Sequence, residues 1–157
     1  MKNSDKTNVM RILDQKKIAY LSHSYEPDAS MSGAEIAELL NEDADRVFKT
    51  LVTCGKSGQY YVFVVPVKEE LDLKKAAKAV GEKAVSMIRQ KELLPLTGYV
   101  HGGCSPIGMK KSFPTCIHET AGQYEKMLVS AGKVGFQIEL APKDLAGAAG
   151  ASFADIC

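Results

Sequence analysis

The amino-acid sequence predicts an α+β domain built on a mixed sheet. Helical and strand patterns interleave along the chain, while a β-hairpin and several directly consecutive strands argue against a purely parallel sheet. With 157 residues, 45% of them hydrophobic and 25% charged, the chain is sized for a single domain over 1–157. The longest apolar run, 60–65, covers six residues, far short of the ~20 that cross a bilayer, so no membrane role is expected.

Val9, Ile12, Leu13 and Lys16 recur at helical spacing, and Ser4 or Asp5 can cap a first amphipathic helix that ends near Lys17. A short strand at 18–23 and a loop containing Pro27 follow. Ser32-Gly33-Ala34-Glu35 then matches a capping box ahead of Ile36, Leu39 and Leu40, which marks a second helix. Stretches 47–54 and 60–65 are rich in β-branched and aromatic residues and are joined by Gly55-Lys56-Ser57-Gly58, the pattern of a hairpin. Asp72 caps a helix with Leu73, Ala76, Ala77 and Val80 on one face, and Gly81 closes it. A shorter helix over 89–94 is expected to stop at Pro95. The stretch 97–109 holds four glycines and a proline, so it reads as a loop whose backbone carries a task. Strands are expected at 113–118, 127–130, 136–140 and 151–156, with Pro142 opening a short helix before the last of them.

The N-terminus is charged and lacks an apolar segment of signal-peptide type, so a cytoplasmic protein is expected. Four cysteines, Cys54, Cys104, Cys116 and Cys157, form no CxxC pair and are expected as free thiols. Formal net charge is +1, but residues 74–111 hold eight basic residues against two acids, a net +6 that leaves −5 to the rest. Such a basic segment is either a solvated helix face or the footprint of an anionic partner.

Strand alternation puts Lys49 on the face of Val47 and Leu51. It is either an edge lysine that reaches water and blocks edge-to-edge pairing, or a cation held in a pocket to meet a carbonyl or phosphate oxygen. In Gly102-Gly103-Cys104-Ser105-Pro106 the paired glycines allow close backbone approach and the proline stiffens the turn. The stretch is an ordinary tight turn or a cradle of N–H groups for an oxyanion or phosphate. His101, Cys104, Cys116 and His118 offer zinc-ligand chemistry without the spacing of a standard zinc module. Cys104 beside His101 is also a candidate nucleophile that lacks a third orienting group. Tyr20, Tyr99 and the turn Ser130-Ala131-Gly132 each have a plain packing reading.

Together, Val47-Phe48-Lys49-Thr50-Leu51, Leu96-Thr97-Gly98-Tyr99, Gly102 through Gly108 and Ser130-Ala131-Gly132, in this order, resemble the YbaK-type Cys-tRNA(Pro) deacylases. These are freestanding relatives of the editing domain inserted in bacterial prolyl-tRNA synthetases. The resemblance implies a curved, barrel-like mixed sheet flanked by helices, no cofactor, no metal, and a pocket lined by the strand lysine and the glycine loop. It assigns Lys49, Gly102 and Gly103 to catalysis, the last two through backbone N–H groups that polarise the ester carbonyl. It places Tyr20, Cys104, Ser105, Pro106, Ser130 and Gly132 at the substrate. It also implies that the thiol of the bound cysteine attacks its own ester, so that Cys104 contributes backbone and not a nucleophile.

Under this resemblance Lys74, Lys75, Lys78, Lys110 and Lys111 gain a partner in the phosphates of tRNA(Pro) mischarged with cysteine, and prolyl-tRNA synthetase becomes a candidate docking partner. Relatives often carry a basic residue and a carboxylate where this chain has Val134 and Gln137. Three other readings stay open: a deacylase for Ala-tRNA(Pro) using water, a non-catalytic tRNA- or synthetase-binding module, and a zinc protein. Monomer and homodimer are equally compatible with the sequence.

Overall fold

The computed structural model describes residues 6–26 and 30–157. Helix α1 (Asn8–Gln15) starts at Thr7, whose hydroxyl accepts from the Met10 N–H, and buries Val9, Met10 and Leu13. Thr7 therefore takes the capping role expected of Ser4 or Asp5, which lie outside the described residues, as does Pro27. Strand β1 (Leu21–Ser24) is shorter than expected and shifted toward its C-terminal end. Helix α2 (Gly33–Leu39) opens with the complete Ser32–Glu35 capping box.

Strands β2 (Phe48–Gly55) and β3 (Tyr60–Pro66) form the expected hairpin, in register from Phe48 opposite Pro66 to Cys54 opposite Tyr60. Asp72 accepts from the N–H groups of Lys74 and Lys75 to start α3 (Leu73–Val80), and Gly81 ends it in the left-handed conformation. Strand β4 (Val85–Met87) escapes the sequence reading because it is three residues long and owes its form to pairing with β2. Helix α4 (Gln90–Thr97) runs through Pro95 and stops at Gly98. The proline removes one N–H from a two-turn helix without breaking it, and the left-handed Gly98 supplies the stop. After the loop come β5 (Thr115–His118), β6 (Met127–Ser130), β7 (Phe136–Leu140), α5 (Pro142–Ala149) and β8 (Ala151–Ala154).

One sheet has five strands in the order β4-β2-β3-β5-β8, with β3–β5 and β5–β8 parallel and the remaining pairs antiparallel. The other has three antiparallel strands in the order β1-β7-β6. The sheets meet at one parallel bridge, Val47 with Leu128, and among the described residues no ladder closes them into a barrel. Central strand β3 is buried on both faces. Val62 and Val64 join the main core with Val9, Met10, Leu13, Ile117 and Ile138, while Phe63 and Val65 join a second core under Ala76 and Ala77 of α3.

The position of β4 creates the opening that matters for function. It pairs only with 53–55 of β2, so among the described residues the 48–51 edge carries no ladder, and β6 approaches it through the Val47–Leu128 bridge alone. Bonds from Val67 N–H to Val47 O and from Gly55 N–H to Gln59 O fix the phase of the hairpin. By antiparallel alternation, the backbone groups of Phe48 and Thr50 then point away from β3, toward that edge.

Candidate active site

A cavity of about 330 Å³ lies over the open edge of β2. Residues 47–51 form its floor, Ser32, Gly33 and Ile36 at the start of α2 form one side, and His101, Gly102, Cys104, Ser130 and Gln137 form the other. Of the residues singled out from sequence, the structure thus brings together Lys49, Gly102, Cys104 and Ser130. No Asp or Glu lines the cavity among the described residues.

Lys49 is held by the ladder opposite Val65, with its side chain 31% exposed. Its ammonium lies 4.0 Å from the carboxylate of Glu70, which is 96% exposed. A contact that long to a solvated acid is weak, so the cation is available to a ligand.

The loop shows which N–H groups can act. Gly102 adopts φ +87°, a conformation open to glycine at little cost. The Gly103 N–H, expected to polarise a carbonyl, donates to Val100 O at 3.0 Å and closes the turn. Gly103 acts sterically instead: a Cβ there would meet the backbone N of Val134 at 2.9 Å. The N–H groups of Gly102 and Cys104 bond to no other described residue, which leaves them as donors at the cavity wall. Burial pushes the Cys104 thiol up to about 12, which disfavours the thiolate that a nucleophilic cysteine needs. The exposed His101 also lines the cavity. Iodoacetamide at pH 8 should therefore modify half-buried Cys54 well before Cys104, as read by peptide mass spectrometry. Equal rates would revive Cys104 as nucleophile.

Other expected site residues lie elsewhere. Ser105 is fully buried, and its hydroxyl accepts from the Ile107 N–H, shaping the loop from within. Pro106 lines a separate small cavity with Met109 and Lys111. Gly132, at φ +93°, packs where a Cβ would meet Tyr99 and Val9, while its N–H donates to Ser130 Oγ. Tyr20 does not line the cavity; it precedes β1 and faces Asp14 of α1, and burial first, then that carboxylate, raises its phenol pKa. Tyr25 lines the cavity in its place, pinned by its N–H to Gly135 O.

The five lysines do not form one surface. Lys74, Lys75 and Lys78 sit on α3 over the second core, where Lys75 bonds Asp155 and the Cys157 carbonyl. Lys110 and Lys111 follow the loop beside Met109, which packs on the main core across the five-stranded sheet. The zinc quartet is likewise divided, with Cys104 in the main core and Cys116 in the second. His118 lies near Glu69 and Cys157, but its Nδ1 accepts from the Ile156 N–H. An imidazole accepting there carries its proton on Nε2 and has no lone pair left for a cation.

Sequence reasoning gave Thr50 no role of its own and noted Gln137 only as a departure from relatives that carry a carboxylate there. Thr50 Oγ1 is buried without a hydrogen-bond partner among the described residues, and Thr50 lines the cavity. An unpaired buried hydroxyl costs about 1–3 kcal/mol, a cost that a bound ligand can relieve. Alternation sets Thr50 on the strand face opposite Lys49, so the reading of Lys49 gave no hint of it. Nothing in the sequence linked Gln137 to its partner, Glu42.

An α+β frame thus gathers, around one cavity, a half-buried cation and backbone N–H groups that bond to no other described residue. Residues 26–148 match the family model for the aminoacyl-tRNA editing domain, and the chain belongs to that family. It is 47% identical, over 99% of its length and 95% of the relative's, to a protein of Enterococcus faecalis named as a candidate Cys-tRNA(Pro)/Cys-tRNA(Cys) deacylase, EbsC. It superposes with a TM-score of 0.79 and 25% identity on the crystal structure of a candidate trans-editing enzyme for prolyl-tRNA synthetase, over 96% of this chain and 97% of that one. The crystal structure of hypothetical protein APE2540 shares the fold at a TM-score of 0.87 and 24% identity, over 96% of this chain and 99% of that one. Among the described residues no helix is long and apolar enough to cross a membrane.

Proposed function

We propose that the chain is a trans-acting aminoacyl-tRNA deacylase that clears Cys-tRNA(Pro), with the substrate thiol as the attacking group. The observation that carries this reading is the pairing of free donors with a neutral Cys104 at one cavity. An aminoacyl ester is already activated, so positioning and carbonyl polarisation suffice for its cleavage. The substrate sulfur bonds to the ester carbon, the bond from that carbon to the ribose oxygen breaks, and the thiol proton ends on the leaving ribose hydroxyl. Products are free tRNA and a cyclic thioester. The N–H groups of Gly102 and Cys104 are assigned to the developing oxyanion, Lys49 to charge stabilisation, and Thr50 and Ser130 to substrate binding.

Such a second site answers a sieving limit. A pocket sized for proline cannot strongly reject smaller side chains, because they differ by only ~1–3 kcal/mol of binding. The α3 lysines and the Lys110–Lys111 pair would meet tRNA phosphates as two separate patches, and selection of tRNA(Pro) would come from docking on the synthetase.

The test is to incubate the protein with Cys-tRNA(Pro), Ala-tRNA(Pro) and Pro-tRNA(Pro) and follow each ester. The cysteinyl ester is expected to disappear fastest. Preference for the alanyl ester would sink the thiol mechanism, and survival of all three would sink the deacylase reading.

A further inference from the structure

The cavity presents a charge problem. At neutral pH an aminoacyl ester carries an α-ammonium for much of the time, yet the cavity holds Lys49 and no lining carboxylate among the described residues. Gln137, 6% exposed, is the one buried amide on its wall. It sits on β7 opposite Ser130 of β6 and His23 of β1. A carboxylate only accepts hydrogen bonds, so the amide atom facing Glu42 is the nitrogen, 2.7 Å from Oε2 and 3.1 Å from Oε1. With one N–H engaged by the carboxylate, Gln137 retains its carbonyl oxygen, an acceptor, beside its second N–H.

Glu42 shares its surroundings with His23, Arg46 and Glu139. His23 and Arg46, on neighbouring elements, both engage Glu139 directly, at 2.7 and 3.2 Å. Glu42 makes no ion pair among the described residues, and burial, the largest influence on it, raises its pKa. Glu42 does not line the cavity; Gln137 stands between the two.

We propose that Glu42, acting through Gln137, is a positioning residue for the α-amino group of the aminoacyl ester: the carboxylate holds the amide with its carbonyl oxygen available as an acceptor and supplies, one residue back, a negative charge that no described lining residue supplies. The inference rests on the deacylase reading and adds a determinant to it. It divides the cavity by chemistry, with donors at Lys49, Gly102 and Cys104 for the carbonyl end and an acceptor at Gln137 for the amine end.

The test compares Cys-tRNA(Pro) with 3-mercaptopropionyl-tRNA(Pro), which keeps the thiol and the ester but lacks the amine. Glu42→Gln removes the charge at nearly constant volume. It is expected to lower kcat/KM on the cysteinyl ester about tenfold more than on the mercaptopropionyl ester, mostly through KM, as befits a lost charge-assisted contact. Equal losses on both esters would make Glu42 merely structural and overturn the proposal. The exchanged pair Glu42→Gln with Gln137→Glu keeps an amide–carboxylate contact and moves the charge to the wall. It should restore the preference for the amine-bearing ester, and a folded exchanged protein without that preference would also overturn the proposal. If the wild type cleaves both esters equally well, this inference alone fails. If it cleaves neither, the deacylase reading fails with it.

Discussion

Lys49→Ala should lower kcat/KM for the cysteinyl ester by about 10²-fold or more, the scale set by removing one preorganised electrostatic contact to a developing oxyanion. The same change should leave the fold almost untouched. The ammonium's ion-pair partner is the exposed Glu70 at 4.0 Å, a contact worth about 0–1 kcal/mol, and the ladder bonds of β2 belong to the backbone. Melting should therefore shift by only a few degrees while activity collapses, a separation read by calorimetry beside single-turnover kinetics. Lys49→Arg is expected to rescue little, since a planar guanidinium does not reproduce a compact ammonium in a cavity of about 330 Å³. Activity of Lys49→Ala within threefold of wild type would return the residue to the role of an edge lysine.

Gly103→Ala should produce a second large loss, this one through the backbone. The added Cβ would stand 2.9 Å from Val134 N and 3.2 Å from the Lys133 carbonyl carbon. Neither is the flexible end of a side chain, so the loop must lift from the turn between β6 and β7. Gly102 and Cys104 flank the substitution, and their N–H groups move with it. Displacement by about 1 Å is enough to cost ~10²-fold in rate, and overpacking of this kind costs about 1–3 kcal/mol of stability. Gly147→Ala, in α5 with open space around the new Cβ, controls for the added methyl and should be neutral or stabilising. Loss of kcat in Gly103→Ala but not in Gly147→Ala, with both proteins folded by circular dichroism, is the expected pattern; full activity in both would remove the loop from the mechanism.

Elements were legible where local chemistry determines them. The hairpin, the capping box at Ser32, the Asp72 cap and the Gly81 stop each rest on a few neighbouring residues, and each formed where the pattern placed it. Strand β4 did not show because Val85-Ser86-Met87 is too short to carry a period and is a strand only beside β2. Pro95 misled because a two-turn helix tolerates the loss of one N–H. At the site, Lys49 stood out as a cation on an apolar strand face, and the 102–106 loop by its paired glycines. That the Gly103 N–H is already bonded, that Tyr25 and not Tyr20 reaches the cavity, and that Glu42 grips Gln137 all depend on how distant segments meet. Spacing along one chain carries no trace of such meetings.

The single bridge between Val47 and Leu128 also governs how the cavity is completed. Lys49 and Thr50 come from one sheet, Ser130 and Gln137 from the other, so the site exists only once the two sheets have docked. Beyond that bridge no continuous ladder joins them, and side-chain packing does most of the joining. A substrate touching both sheets works as a brace across the seam, and whatever free energy it gains there is added to folding by mass action. On the proposed reading, an ester bound there would be part of what holds the two sheets together.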